Sequence, residues 1–336
     1  MASPHRRSPR TWWAPRAPAA GAAVMATGIL SVALHLVGHE ALSRVALVPA
    51  CAAWILLAAS FAHLLLSDRV GWVARADTPG ALTAVAATAV LGTRFSLLGW
   101  TSVAAVLLAL ATLLWPALLL LVVRHWGRRM PGSVFLGCVA TEGLAVLGAT
   151  LAASTSTAWL AHTALVLFWS GLLLYAAALM RFDVREVARG AGDHWVLGGA
   201  LGISALAGAI LLDAADSGMR LWNDDDSAVM RHTTVALLVV SLAASAVLAG
   251  CEVVWPRLRY DVRRWSTVFP LGMVAAATLS VAFAVDVAWL EGLGQALVWI
   301  ALAVWSAVAA GAGASMWAES HGTSTQRARK TRSGGT

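Results

Sequence analysis

Ten stretches of apolar residues, separated by short polar linkers, decide what this chain can become. They fall at 17–38, 45–66, 80–99, 101–123, 133–153, 158–180, 194–213, 232–254, 265–286 and 293–317. Each is long enough to cross about 30 Å of hydrocarbon at about 1.5 Å per residue. Lipid offers no partner to a backbone N–H or C=O, so spans of this length must be helices. Of the 336 residues, 59% are hydrophobic and 12% are charged. An ordinary water-soluble domain carries roughly 25% charge. The pattern therefore predicts an all-α polytopic membrane protein in the cell membrane. Its ten-helix domain covers 17–318, between a basic tail at 1–16 and another at 319–336.

The placement of the basic residues supports the same count. Arg6, Arg7, Arg10 and Arg16 precede the first stretch. With the linkers after stretches 2, 4, 6 and 8 and the C-terminal tail, that side of the membrane holds 20 Lys and Arg residues. The other side holds four, Arg44, Arg94, Arg220 and Arg231. Such a bias marks the cytoplasmic side, so both termini are expected in the cytoplasm. It also gives the net charge of +7 a role in membrane orientation, and nucleic acid is not expected as a partner. The basic N-terminus resembles a signal peptide, but the run behind it is of spanning length and carries Gly21, Thr27, Gly28 and Ser31. It is read as an uncleaved first helix. Asp224, Asp225 and Asp226 fall in the longest outer linker and are read as a solvated loop.

The stretches pair into five tandem hairpins, and the two members of each pair differ. Odd-numbered stretches hold small and hydroxyl-bearing residues, among them Gly28, Thr88, Thr141, Gly202 and Thr278. Even-numbered ones are mostly Leu, Ala and Val. Small residues let helices approach closely, and hydroxyls can line a hydrated path. Odd helices inside and even helices outside follow, either around a central pore or simply in tight packing.

Few residues inside the spans offer chemistry. Glu142 is the one carboxylate deep in a span. It is a candidate proton or substrate contact, or else a neutral, hydrogen-bonded carboxyl between helices. Arg94, near an outer helix end, can attract anions at the mouth or snorkel to the interface. Pro270 removes one N–H from the ninth helix and frees the carbonyl of Ser266. Phe269 beside it is either a core aromatic or a ring able to plug a pore. Cys51, Cys138 and Cys251 are far apart and read as buried hydrophobes. His35, His63 and His162 lack metal-ligand spacing. No metal site, cofactor or enzyme motif is expected.

Several segments carry a family resemblance: AVMATGILSVA at 23–33, AVAATAVLGTRF at 84–95, FLGCVATEGLAV at 135–146, HWVLGGALGISALAGAIL at 194–211 and RYDVRRWSTVFPLGMVAAAT at 259–278. They resemble the tellurite-resistance/dicarboxylate transporter family, also called the voltage-dependent anion channel family, of TehA-like proteins. The resemblance implies five hairpins whose odd helices line a pore. It implies movement of small anions, such as C4-dicarboxylates, sulfite, tellurite or inorganic anions, and assembly as a homotrimer. It also implies that Phe269 is the pore gate. Glu142 stands where a neutral Gln is expected in bacterial relatives, which keeps a proton-coupled carrier of organic acids open as the alternative. A non-transport membrane sensor or scaffold is the remaining reading.

Overall fold

The computed structural model describes residues 17–189, 192–216, 219, 221–222, 224–256 and 260–333. Ten long helices form five hairpins: α1 (Ala17–Leu36) with α2 (Glu40–Ser67), α3 (Thr83–Leu97) with α4 (Thr101–Arg124), α5 (Leu136–Thr155) with α6 (Ala158–Leu179), α7 (Val196–Asp216) with α8 (Asp224–Val254), and α9 (Trp265–Val285) with α10 (Ala288–Ser333). Among the described residues, nine are long and apolar enough to cross a membrane, and α1 is apolar over Gly21–Leu36. The chain is an all-α polytopic membrane protein.

Burial sorts the helices into two shells. Over an apolar window of 18 residues in each span, 78% to 100% of residues are buried around α3, α5, α7 and α9, against 11% to 28% in α2, α4, α6, α8 and α10. Helix α1 joins the inner set, since Met25, Ile29 and Leu34 are all but inaccessible. The inner helices close into a ring in which each touches the next and α9 returns to α1. Glycines permit this approach where backbones nearly meet. A Cβ on Gly199 of α7 would lie 2.8 Å from the ring of Pro270 on α9, and one on Gly272 of α9 would lie 2.9 Å from Ile29 on α1.

Each outer helix also makes a polar contact with the inner helix of the following hairpin. Trp54 of α2 donates its indole N–H to Thr88 of α3 at 2.9 Å. Trp115 of α4 donates to Thr141 of α5 at 2.8 Å. Tyr175 of α6 reaches the Leu197 carbonyl of α7 at 3.5 Å. Arg264, just before α9, pairs with Glu252 of α8 at 2.6 Å. Trp305 of α10 closes the circle by donating to Thr27 of α1 at 3.0 Å.

Between α3 and α4 the turn is made by Gly99 at φ +79°, and the Trp100 N–H donates back to the Phe95 carbonyl at 2.9 Å. That is a left-handed helix stop. Boundaries differ from the hydropathy reading in three places. The acidic run read as an outer loop instead falls in the first turn of α8. Helix α10 continues to Ser333, so the segment read as a tail from 319 is helical. A short helix at Arg69–Ala76, and 3-10 turns at Pro79–Leu82, Gly132–Phe135, Asp193–Trp195 and Val262–Arg264, fill the linkers on one side.

Candidate functional site

Those four 3-10 turns lead into α3, α5, α7 and α9, so four inner helices begin at the same end of the ring. There they surround a vestibule of about 460 Å³. Unsatisfied N–H groups give each helix start roughly half a positive charge, which favours an anion. Among the described residues that line the vestibule, the charged side chains are Asp193, Asp261 and Arg263. Asp261 accepts from the Arg263 backbone at 2.8 Å and from its guanidinium at 3.3 Å. Burial pushes the Asp261 carboxyl up, but these bonds and the Arg263 charge hold it below the ordinary range. Asp261 and Arg263 form a neutral pair, which leaves the Asp193 carboxylate facing the positive field of the helix starts.

Deeper in the ring lies a second, far smaller cavity of about 10 Å³. That is room for a single water. Four inner helices line it with residues three apart: Ile29 and Val32, Val90 and Thr93, Gly143 and Val146, Ile203 and Leu206. The fifth, α9, supplies Met273. The vestibule residues Ala22, Thr83, Leu136, Val196 and Ser266 each precede an axial residue of the same helix by seven positions. Seven residues are two turns, or about 10 Å along the axis. The two cavities are thus successive levels of one five-helix axis. Phe269 and Met25 fall between those levels in sequence, line the vestibule floor and are 1% exposed.

The other residues singled out from sequence lie off this axis. Thr88 and Thr141 face the outer-helix tryptophans and also donate to their own i−4 carbonyls. Gly28 packs on Val90, and Gly202 packs on Ser241 of α8 and Met273 of α9. Thr278 is buried and donates to the Val274 carbonyl at 2.7 Å. Pro270 packs into the α7 groove at Gly199. Glu142 is fully buried between α5, α6 and α7. Its Oε1 accepts from Ser204 at 2.9 Å, and Oε2 has no hydrogen-bond partner among the described residues. Its carboxyl lies against Gly171 of α6.

Arg94 neither snorkels nor stands free. It is 0% exposed, donates from Nη2 to both Glu40 oxygens at 2.7 and 2.8 Å, and donates from Nε to Ser43 at 2.9 Å. Glu40 also binds His35 at 2.7 Å and Arg44 at 2.8 Å. Ser31 and Ser43 exchange side-chain bonds to each other's carbonyls. This network ties the outer ends of α1, α2 and α3 together and offsets the Arg94 charge.

Most axial residues were missed from sequence because they are ordinary apolar side chains; Thr93 and Gly143 alone belong to the small and hydroxyl-bearing set of the odd stretches. One signal was present: Gly28, Gly202 and Gly272 immediately precede the axial Ile29, Ile203 and Met273.

The family model described as voltage-dependent anion channel (SLAC1) matches residues 17–312. The chain belongs to the voltage-dependent anion channel family. That match takes in all five hairpins up to the later part of α10. Among curated proteins, an uncharacterized membrane protein from each of two strains of Mycobacterium tuberculosis is 32% identical over 136 residues. The alignment covers 40% of this chain and 68% of the relative. The family is one of anion channels and transporters, which places this chain in the membrane with small anions as its substrates.

Proposed function

We propose that small anions cross the membrane along the five-helix axis and that Phe269 gates their passage. The stacking of two cavities on one axis, with Phe269 on the floor between them, carries this reading. The deeper cavity has room for about one water and is walled mostly by apolar side chains, with Thr93 its single hydroxyl among the lining residues, so the path is shut by an apolar constriction. Its walls hold no ionised side chain, so anion preference comes from the helix starts and the surrounding arginines. That favours broad selectivity among small anions, from inorganic ions to sulfite, tellurite and C4-dicarboxylates. The family resemblance supports a homotrimer with one axis per subunit, and the arginine bias supports cytoplasmic termini.

Replacing Phe269 with Ala removes the ring without adding charge. Anion flux into liposomes is expected to rise by roughly tenfold or more, as when a barrier falls by about 1.4 kcal/mol. Unchanged flux with verified insertion would remove Phe269 from the gate. A second reading, a proton-coupled carrier of organic acids, has one observation behind it: the buried Glu142 with its unpartnered oxygen.

A further inference from the structure

A cleft of about 370 Å³ opens on the outside of the ring, between α2, α3 and α4. Trp54, Leu57, Phe61 and Leu65 climb one face of α2 along it, with Leu110 and Leu114 of α4 opposite. Ala84 and Ala87 of α3 leave the depth at its back. From Trp54 to Leu65 the cleft runs about 16 Å. That is about half the hydrocarbon core, the depth of one leaflet. Its end on the vestibule side is closed by Trp72 and Arg75 from the short helix Arg69–Ala76. Val70 is 82% exposed and Val73 is 44% exposed, which sets this helix at the bilayer surface. Asp68 caps it by accepting from the Gly71 N–H at 2.9 Å.

We propose that this cleft holds an anionic phospholipid of the cytoplasmic leaflet, with an acyl chain along α2 and the phosphate at Arg75. Three observations fit that occupant together. The body of the cleft is apolar, elongated and of leaflet depth. The cation stands only at the interfacial end, and Arg75 makes no ion pair among the described residues. Trp72 packs at a tilt against Phe61 with ring centroids 5.3 Å apart, which sets an indole at the interfacial end of the cleft, the depth of the lipid headgroups where tryptophan is enriched. Anionic lipid is enriched on the cytoplasmic face, where an arginine near the surface attracts it.

The cleft shares wall residues with the conduction axis. Gly80 and Thr83 line both the cleft and the vestibule, and Gly21 of α1 packs directly on Thr83. A lipid in the cleft buttresses the start of α3, one of the five axial helices. This consequence rests on the transport reading; the binding itself does not.

The test uses the full chain in nanodiscs with a photoreactive acyl-chain phosphatidylglycerol or phosphatidylcholine, and maps labelled peptides by mass spectrometry. Labelling is expected to concentrate on residues 54–65 and 110–114, with phosphatidylglycerol preferred. Arg75→Gln is expected to reduce that preference roughly fivefold. Ala87→Leu should abolish the enrichment by filling the cleft. Ala58→Phe does the same from the lipid-exposed side of α2, without touching the ring. Labelling spread evenly over the outer helices, or unaffected by all three variants, would overturn the site. Cross-linking between copies through Phe61→Cys, with native cysteines replaced, would place a second chain in the cleft and also overturn it. If labelling behaves as expected but flux does not depend on anionic lipid, the site stands and its coupling to the axis falls.

Discussion

Glu142 and Gly143 are neighbours on α5 with opposite surroundings. Gly143 lines the axial cavity, whereas the Glu142 carboxyl meets Gly171 of α6 and Ser204 of α7. A charge at this depth must be paired or neutral, and no ion pair holds Glu142 among the described residues. An amide fills the same space and keeps the Ser204 bond. Glu142→Gln is therefore expected to change unfolding stability by no more than about 1 kcal/mol. Anion flux and its dependence on pH should stay within roughly twofold of the parent. Loss of the pH dependence alone would move the protein to the proton-coupled reading. Gly171 is the more sensitive partner. A Cβ there would fall 2.6 Å from the Glu142 carboxyl carbon, so Gly171→Ala should destabilise by about 1–3 kcal/mol in a micellar unfolding assay. Restored stability in Gly171→Ala with Glu142→Ala would confirm that the clash is the cause, and no rescue would refute it.

At the scale of elements, the three indole-to-threonine bonds are the repeated device that fixes outer helices to inner ones. Each threonine both accepts from a tryptophan of the preceding hairpin and donates within its own helix, as Thr27 does to the Ala23 carbonyl at 2.8 Å. Interhelical bonds in membranes average about 0.6 kcal/mol and reach about 1.7. A double-mutant cycle of Trp305→Phe and Thr27→Val is expected to give a coupling near that average, whereas Trp289→Phe, 69% exposed, should shift stability by under about 0.5 kcal/mol. A coupling of zero would reduce the contact to coincidence. The helices themselves were legible in sequence, as was their inner or outer place, because length and residue size report solvent and crowding directly. The facing of Gly28, Thr88, Thr141, Gly202 and Thr278 was not. A helix buried all round shows no apolar stripe, so its rotation cannot be read from hydropathy. Most small residues went to the closest helix contacts, and mainly apolar side chains, with Thr93 and Gly143, enclose the axis. Tryptophans within spans, Trp54, Trp115 and Trp305, were the available clue, since an indole N–H in lipid needs an acceptor.

The whole molecule is polar from end to end although its axis is not. Arg75, Arg128, Arg129, Arg181 and Arg263 share the side on which the vestibule opens, and the helix starts there add their own positive field. At the other end the buried Arg94 is matched by Glu40. On the proposed route an anion arriving from the arginine-rich side meets the helix starts of the vestibule and then the apolar closure, whereas at the opposite end Glu40 is shared by Arg94, Arg44 and His35 in a braced network. From the positive-inside bias we propose that the vestibule is the cytoplasmic mouth. This orientation can be read with a thiol at Ser133, a half-buried vestibule residue, after Cys51, Cys138 and Cys251 are replaced by alanine. A membrane-impermeant maleimide should label Ser133→Cys in inside-out vesicles and leave it unlabelled in right-side-out ones. The reverse pattern would invert the molecule and place the vestibule outside. In the Phe269→Ala background the reagent is too large to pass the axial level, so the sidedness should persist even as small anions flow. Labelling from both sides there would mean that Phe269 holds the bundle together, beyond any role in closing its axis.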